Sequence, residues 1–146
     1  MPDFNKCVME FSFEFGNIGH KTMQVELKTP TEQISIMPCS IESKLINTTK
    51  IEVDLPSRVV LKFTGKDYNT DTVIDESGKI VQDIYVKILG ISMDGFKLNE
   101  KFLHQKIKIF TDQEQEYTTA YIGFNGVVVL NLIEDTVFSQ YLTLNA

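Results

Sequence analysis

The chain reads as one all-β domain over residues 1–146, an antiparallel β-sandwich or jelly roll of about eight to ten strands. Three observations predict it. Apolar and polar residues alternate with a period of two through most of the chain, as they must in half-buried strands whose successive side chains point to opposite faces. Gly, Pro, Asn and Asp punctuate these segments at short intervals. No internal repeat with a period of about 20 to 50 residues and no linker interrupts the pattern, so a single core is expected.

The elements follow in order. "VMEFSFEF" places Met9, Phe11, Phe13 and Phe15 on one face and Glu10, Ser12 and Glu14 on the other. "TMQVELK" does the same with Met23, Val25 and Leu27 inward, and the two glycines of "GNIGH" predict a hairpin between these strands. "KIEVDL" turns Ile51, Val53 and Leu55 inward, and "RVVLKFT" turns Val59, Leu61 and Phe63 inward. "DIYVKILGISMD", "QKIKIF", "TAYIGF" and "VVVLNL" complete the strands, with Asn125-Gly126 predicting a tight turn between the last two. In "DIYVKILGISMD" the inward set Ile84, Val86 and Ile88 meets Gly90, and Ile91 and Met93 continue in the opposite phase, which predicts a bulge. "LNEKFLHQKI" is compatible with a helix that places Leu98, Phe102 and Leu103 on one side. "TVFSQYLTLN" is readable as a helix or as a last strand.

The balance of 20 acidic against 14 basic residues gives a net charge of −6, which repels a phosphate backbone and argues against nucleic acid as a partner. No run approaches the roughly 18 apolar residues of a membrane span, and no basic segment followed by an apolar one suggests a secretory signal. Cys7, Cys39, His20 and His104 lack the close spacings of zinc motifs, which leaves two buried thiols or one bridge. GxSxG, HExxH and CxxC are absent, so the chain reads as a non-enzyme. Tyr117, Tyr121 and Tyr141 have rings able to stack on a sugar, but strand tyrosines commonly serve packing, and Trp is absent.

The chemistry concentrates between Lys62 and Gly95, where Asp67, Asn69, Asp71, Asp75 and Asp83 line a loop between strands. Calcium takes about six to eight oxygens, and such loops can converge carboxylates and carbonyls on it. "DYNTDTVIDESG" begins like a helix-loop-helix calcium loop, with Asp67, Asn69 and Asp71 at alternate positions. Thr72 stands where that loop needs Gly, and Gly78 where it needs Glu. "IDESGKIV" reads instead as a hairpin, Asp75 opening the turn and Gly78 at its left-handed position.

The same stretch resembles calcium-dependent carbohydrate-binding modules of the xylan-binding type. Phe63-Thr64 ends a strand, Lys66-Asp67-Tyr68 stands at the family's Asn-Asp position, and Asp83 opens the closing strand "IYVKILGISMDG". The resemblance covers about a quarter of the chain. Lys66 replaces the family's Asn, and a hairpin is inserted between Asp67 and Asp83. The resemblance implies Asp67 and Asp83 as calcium ligands, with nearby backbone carbonyls completing the shell; Asp71 and Asn69 of the same loop are further candidate ligands. It also implies sugar hydroxyls on the open coordination sites, and Tyr68 and Tyr85 are the candidate carbohydrate-binding side chains of the stretch. Two functions are expected from different classes. One is a glycan-binding module for a polysaccharide or cell-surface glycan, acting outside a cell or on a virion surface such as that of a phage. The other is a structural virion protein (capsid decoration, fibre or baseplate domain) that packs on copies of itself or on other virion proteins without glycan or metal.

Overall fold

The computed structural model describes residues 5–41 and 44–146. The fold is mostly antiparallel β, 55% strand and 11% helix, arranged in several sheets. At the centre of the first sheet lies β1 (Lys6–Gly16), flanked by β5 (Lys44–Asp54) and β9 (Tyr85–Met93). β4 (Cys39–Ile41) extends this sheet beyond β5, while β10 (Phe96–Lys97) and β13 (Tyr121–Ile122) share the far edge of β9. The second sheet runs β12 (Glu116–Thr118), β11 (Lys108–Thr111), β14 (Gly126–Leu132), β6 (Ser57–Thr64), β2 (Gln24–Lys28) and β3 (Gln33–Ile36). A separate hairpin, β7 (Thr72–Ile74) with β8 (Ile80–Asp83), belongs to neither.

Period-two alternation explains the core. Cys7, Met9, Phe11, Phe13 and Phe15 of β1 are buried along with Val25 and Leu27 of β2, Ile51 and Val53 of β5, and Val59, Leu61 and Phe63 of β6. They form one hydrophobic cluster fed by both six-stranded sheets. The bulge lies beside Gly90: Ser12 pairs with Gly90 and Phe13 with Ile88, so Leu89 is the extra residue and the inward phase resets to Ile91 and Met93.

Two expected turns are not hairpins. β1 and β2 lie in different sheets, and "GNIGH" carries the chain between them with only an isolated Ile18–Lys21 bridge. Both strands bury their apolar faces in one hydrophobic cluster, each from its own sheet. Asn125-Gly126 likewise links β13 of the first sheet to β14 of the second. Here Gly126 serves close approach, since a Cβ on it would sit 2.3 Å from the Phe110 carbonyl oxygen.

Both ambiguous segments contain helix. α1 (Glu100–Gln105) is capped by Asn99, whose side chain accepts from the Phe102 N–H at 2.9 Å, and it buries Phe102 and Leu103. α2 (Val137–Asn145) is capped by Thr136, which accepts from the Ser139 N–H, and Val137, Tyr141 and Leu144 rest against the core. Cys7 is buried, its thiol pushed up to about 12 chiefly by that burial, and Cys39 is exposed; both are free. The paired alternatives read from the sequence, two buried thiols or one bridge, therefore give way to one thiol in each environment. Among the described residues no helix is long and apolar enough to cross a membrane.

Candidate functional site

The acidic loop begins where β6 ends. Gly65 adopts φ +90, a left-handed conformation that favours glycine, and the turn sends Lys66 inward. The backbone of Lys66 is then gripped by one side chain: its N–H donates to Asn125 Oδ1 and its carbonyl accepts from Asn125 Nδ2, each at 2.8 Å. The ammonium ends 2.7 Å from Asp83 Oδ1, with the Lys66 and Asp83 side chains only 4% and 9% exposed. Thr72 Oγ1 donates to the same oxygen at 2.6 Å, and the Tyr121 hydroxyl donates to Oδ2. Burial raises the affinity of Asp83 for a proton. The hydrogen bonds from Lys66, Thr72 and Tyr121, with the Lys66 charge, outweigh it and hold the carboxyl below the usual carboxylate range.

Asp71 forms a second closed carboxylate. Its Oδ2 accepts from Lys21 Nζ at 2.5 Å and from the Asp67 N–H at 2.8 Å, while Thr70 Oγ1 reaches Oδ1 at 3.3 Å. Burial works against its charge, but these donors prevail and its carboxyl too lies below the usual range. The Asp71 carbonyl then accepts from the Ile84 N–H at 2.9 Å, so the start and end of the hairpin are joined. The side chains of Asp67 and Asn69 lie outside this network on the exposed turn, where Asp67 Oδ1 accepts from the Asn69 N–H at 2.9 Å.

Tyr68 and Tyr85 lie in separate networks. Tyr68 donates to Asp112 Oδ1 at 2.6 Å and accepts from the Asn125 N–H at 2.8 Å; burial, then the Asp112 hydrogen bond, pushes its hydroxyl up to about 12. Tyr85 stacks on Tyr121, ring centroids 4.5 Å apart and planes 22° apart, and donates to Glu14 Oε2 at 3.2 Å. Gly16, its register partner on β1, lets the Tyr85 ring lie over the strand, because a Cβ there would come within 2.2 Å of the ring.

The residues singled out for calcium therefore divide: Asp71 and Asp83 are enclosed on different lysines, and Asp67 and Asn69 face water. Calcium needs converging lone pairs, whereas the oxygens of Asp71 and Asp83 meet ammonium, hydroxyl and N–H donors. In this arrangement the residues do not fit the ion. Among the described residues no group of three or more His, Cys, Asp or Glu is placed to hold a metal. His20 is exposed, and His104 contacts Glu100 at 2.8 Å on the outer side of α1.

Sequence reasoning picked out Asp71 and Asp83 and missed what encloses them: Lys21, Thr72 and Tyr121. Lys66 was visible only as a departure from the resembled family, yet a lysine in that position was the available signal that a cation is built into the loop. No family model, curated protein or solved structure matches this chain.

Proposed function

We propose that this chain is a non-catalytic structural module of the virion-surface kind, a two-sheet sandwich whose acidic loop is a metal-free clamp aiming the β7–β8 hairpin at a neighbouring protein. The observation that carries this reading is the buried Lys66 ammonium on Asp83, which supplies from the chain itself the positive charge that a calcium ion would bring. The clamp holds out Val73, Ile74, Ile80 and Val81, all exposed. A stable two-stranded element with exposed apolar side chains and unpaired edges is suited to packing on another chain. Thermal unfolding in EDTA and then in millimolar calcium tests the reading: the midpoint is expected to stay in place. A calcium-dependent rise of several degrees, the effect of a ligand at about 100 times its dissociation constant (about 2.7 kcal/mol), would restore the metal-dependent reading.

Glycan recognition is a second reading, supported by the partly exposed Tyr85–Tyr121 stack with Glu14 at its margin. Aromatic faces beside carboxylates suit the apolar face and hydroxyls of a sugar, and such a site needs no ion. On this reading binding to a glycan array persists in EDTA and is lost in Tyr121→Ala. Retention of binding in that variant excludes the stack as the platform.

A further inference from the structure

We infer that two copies of this chain exchange their β7–β8 hairpins, each hairpin lying on the outer face of its partner's second sheet. The inference rests on the docking role proposed for the hairpin and names what receives it. Residues 73–82 are exposed without a break, and Ile74 and Ile80 are register partners, so their apolar side chains are presented together. Asp75 and Glu76 stand at the tip against Lys79 alone, which makes the projecting segment acidic as well as apolar. Neither sheet of its own chain pairs with it.

The second sheet holds the matching surface. Across it Phe110 pairs with Val127, Val127 with Lys62 and Lys62 with Glu26, while Val129 pairs with Val60 and Val60 with Lys28. Their sequence neighbours Ile109, Val128, Val59 and Leu61 are buried, so these side chains point away from the core. Phe110 is 50% exposed, and Val60, Val127 and Val129 are only partly covered. The runs "RVVL" and "GVVVL" are thus apolar on both faces, the pattern of strands covered on both sides, and in the single chain one side is open.

Charge identifies the occupant. Lys28, Arg58, Lys62 and Lys108 stand on this outer face against Glu26 and Glu116, a local charge of +2 on a chain whose net charge is −6. A basic rim around an apolar centre complements an acidic tip that carries isoleucines. A membrane or a nucleic acid would bring a wide anionic surface against the acidic remainder of the chain, which repels it. The hairpin of a second copy approaches with its negative charge confined to a narrow tip and covers the valines with its own apolar side chains.

Size and position favour exchange over a single contact. A standard interface takes about 20–30 residues from each side. The ten residues 73–82 and the ten face residues named above reach the lower end of that range when both contacts form, and only half of it when one does. Hairpin and face also adjoin: Asn125 holds the Lys66 backbone at the root of the hairpin and is followed by Gly126, which opens β14. Two adjoining, complementary surfaces on one chain can satisfy each other across a two-fold axis, which closes the assembly as a dimer.

Sedimentation velocity over a wide concentration range tests the exchange. The wild type is expected to pass from monomer to dimer and to grow no further. Ile74→Lys/Ile80→Lys disables the hairpin and Phe110→Ser/Lys62→Glu the face; each is expected to weaken association at least about tenfold while far-UV circular dichroism stays native. Glu76→Lys, a single change on the exposed tip, replaces a double variant that loses its fold and is expected to weaken the dimer as well. An equimolar mixture of the hairpin and face variants should dimerise more tightly than either alone, because one native hairpin then meets one native face. A wild type that stays monomeric, a variant that dimerises unchanged, or a mixture no tighter than its components overturns the inference. Growth past the dimer overturns the two-fold exchange. The docking role itself fails by a different readout, a calcium-dependent rise in the unfolding midpoint, whereas a monomeric wild type leaves that role standing with another partner.

Discussion

Lys66 Nζ lies 2.7 Å from Asp83 Oδ1, and both side chains are withdrawn from water. The pair ties the chain just after β6 to the end of β8 and so fixes the base of the hairpin. Removing one member of a buried ion pair leaves the other charged without compensation, which costs about 3–5 kcal/mol where burial is deep. Lys66→Met is expected to lower stability by about 3 kcal/mol in urea unfolding. Lys66→Met combined with Asp83→Leu should recover a large part of that loss, because no unpaired charge remains. A Lys66→Met variant as stable as the wild type would show that the pair does not hold the loop.

Acid should loosen the same loop. Asp71 and Asp83 both have carboxyls held below their ordinary range, so their contribution is fully present above the unfolded carboxylate pKa, about 4. It is lost as the pH falls from there through their folded values. The expected melting curve is flat from neutral pH to about 5 and declines below about 4. An Asp71→Asn/Asp83→Asn variant, already less stable at neutral pH, should show a shallower decline over that acid range. Parallel curves for the two proteins would show that other groups govern the acid response.

Burial was legible where it depends on neighbours in sequence. The inward sets of β1, β2, β5, β6 and β9 follow from alternation alone, and the Leu89 bulge was announced by Gly90 and the phase change after it. Sheet membership was not legible, because the pairing of β1 with β9 and of β14 with β6 depends on which faces share a core. The turn residues misled for a physical reason: Asn125 is used for its amide, which holds the Lys66 backbone from a distant part of the chain. Asp71 and Asp83 stood out as acids in a loop. Their partners Lys21 and Tyr121 lie 50 and 38 residues away, and no local pattern records such contacts.

Gly16 offers a steric test of the tyrosine stack. A Cβ there would lie 2.2 Å from the Tyr85 ring and 2.8 Å from the Asp83 carbonyl, so Gly16→Ala must displace either the ring or the strand. Overpacking of this kind costs about 1–3 kcal/mol and should reduce the near-ultraviolet circular dichroism of the stacked tyrosines. Gly90 is the control: nothing lies within 4 Å of its Cβ position, so Gly90→Ala should fall within about 0.5 kcal/mol of the wild type. Equal losses in the two variants would point to backbone conformation as the common cause, and Tyr85 would not be the group that requires glycine at 16.

The hairpin should hold its shape without its apolar side chains. Its tip is closed by Asp75, whose Oδ1 accepts from the Ser77 N–H at 2.9 Å, Ser77 Oγ at 2.7 Å and the Lys79 N–H at 3.0 Å. Gly78 supplies the left-handed turn position at φ +86. Ile74 and Ile80 face each other across the ladder but remain more than half exposed, so they contribute little to folding. Ile74→Lys/Ile80→Lys is therefore expected to unfold within about 0.5 kcal/mol of the wild type. Asp75→Ala should instead speed amide exchange at Ser77 and Lys79, because both N–H groups lose their carboxylate acceptor, and leave exchange in β1 unchanged. If the double-lysine variant unfolds much earlier than the wild type, the two isoleucines support the domain itself and are unavailable as the docking surface proposed for them.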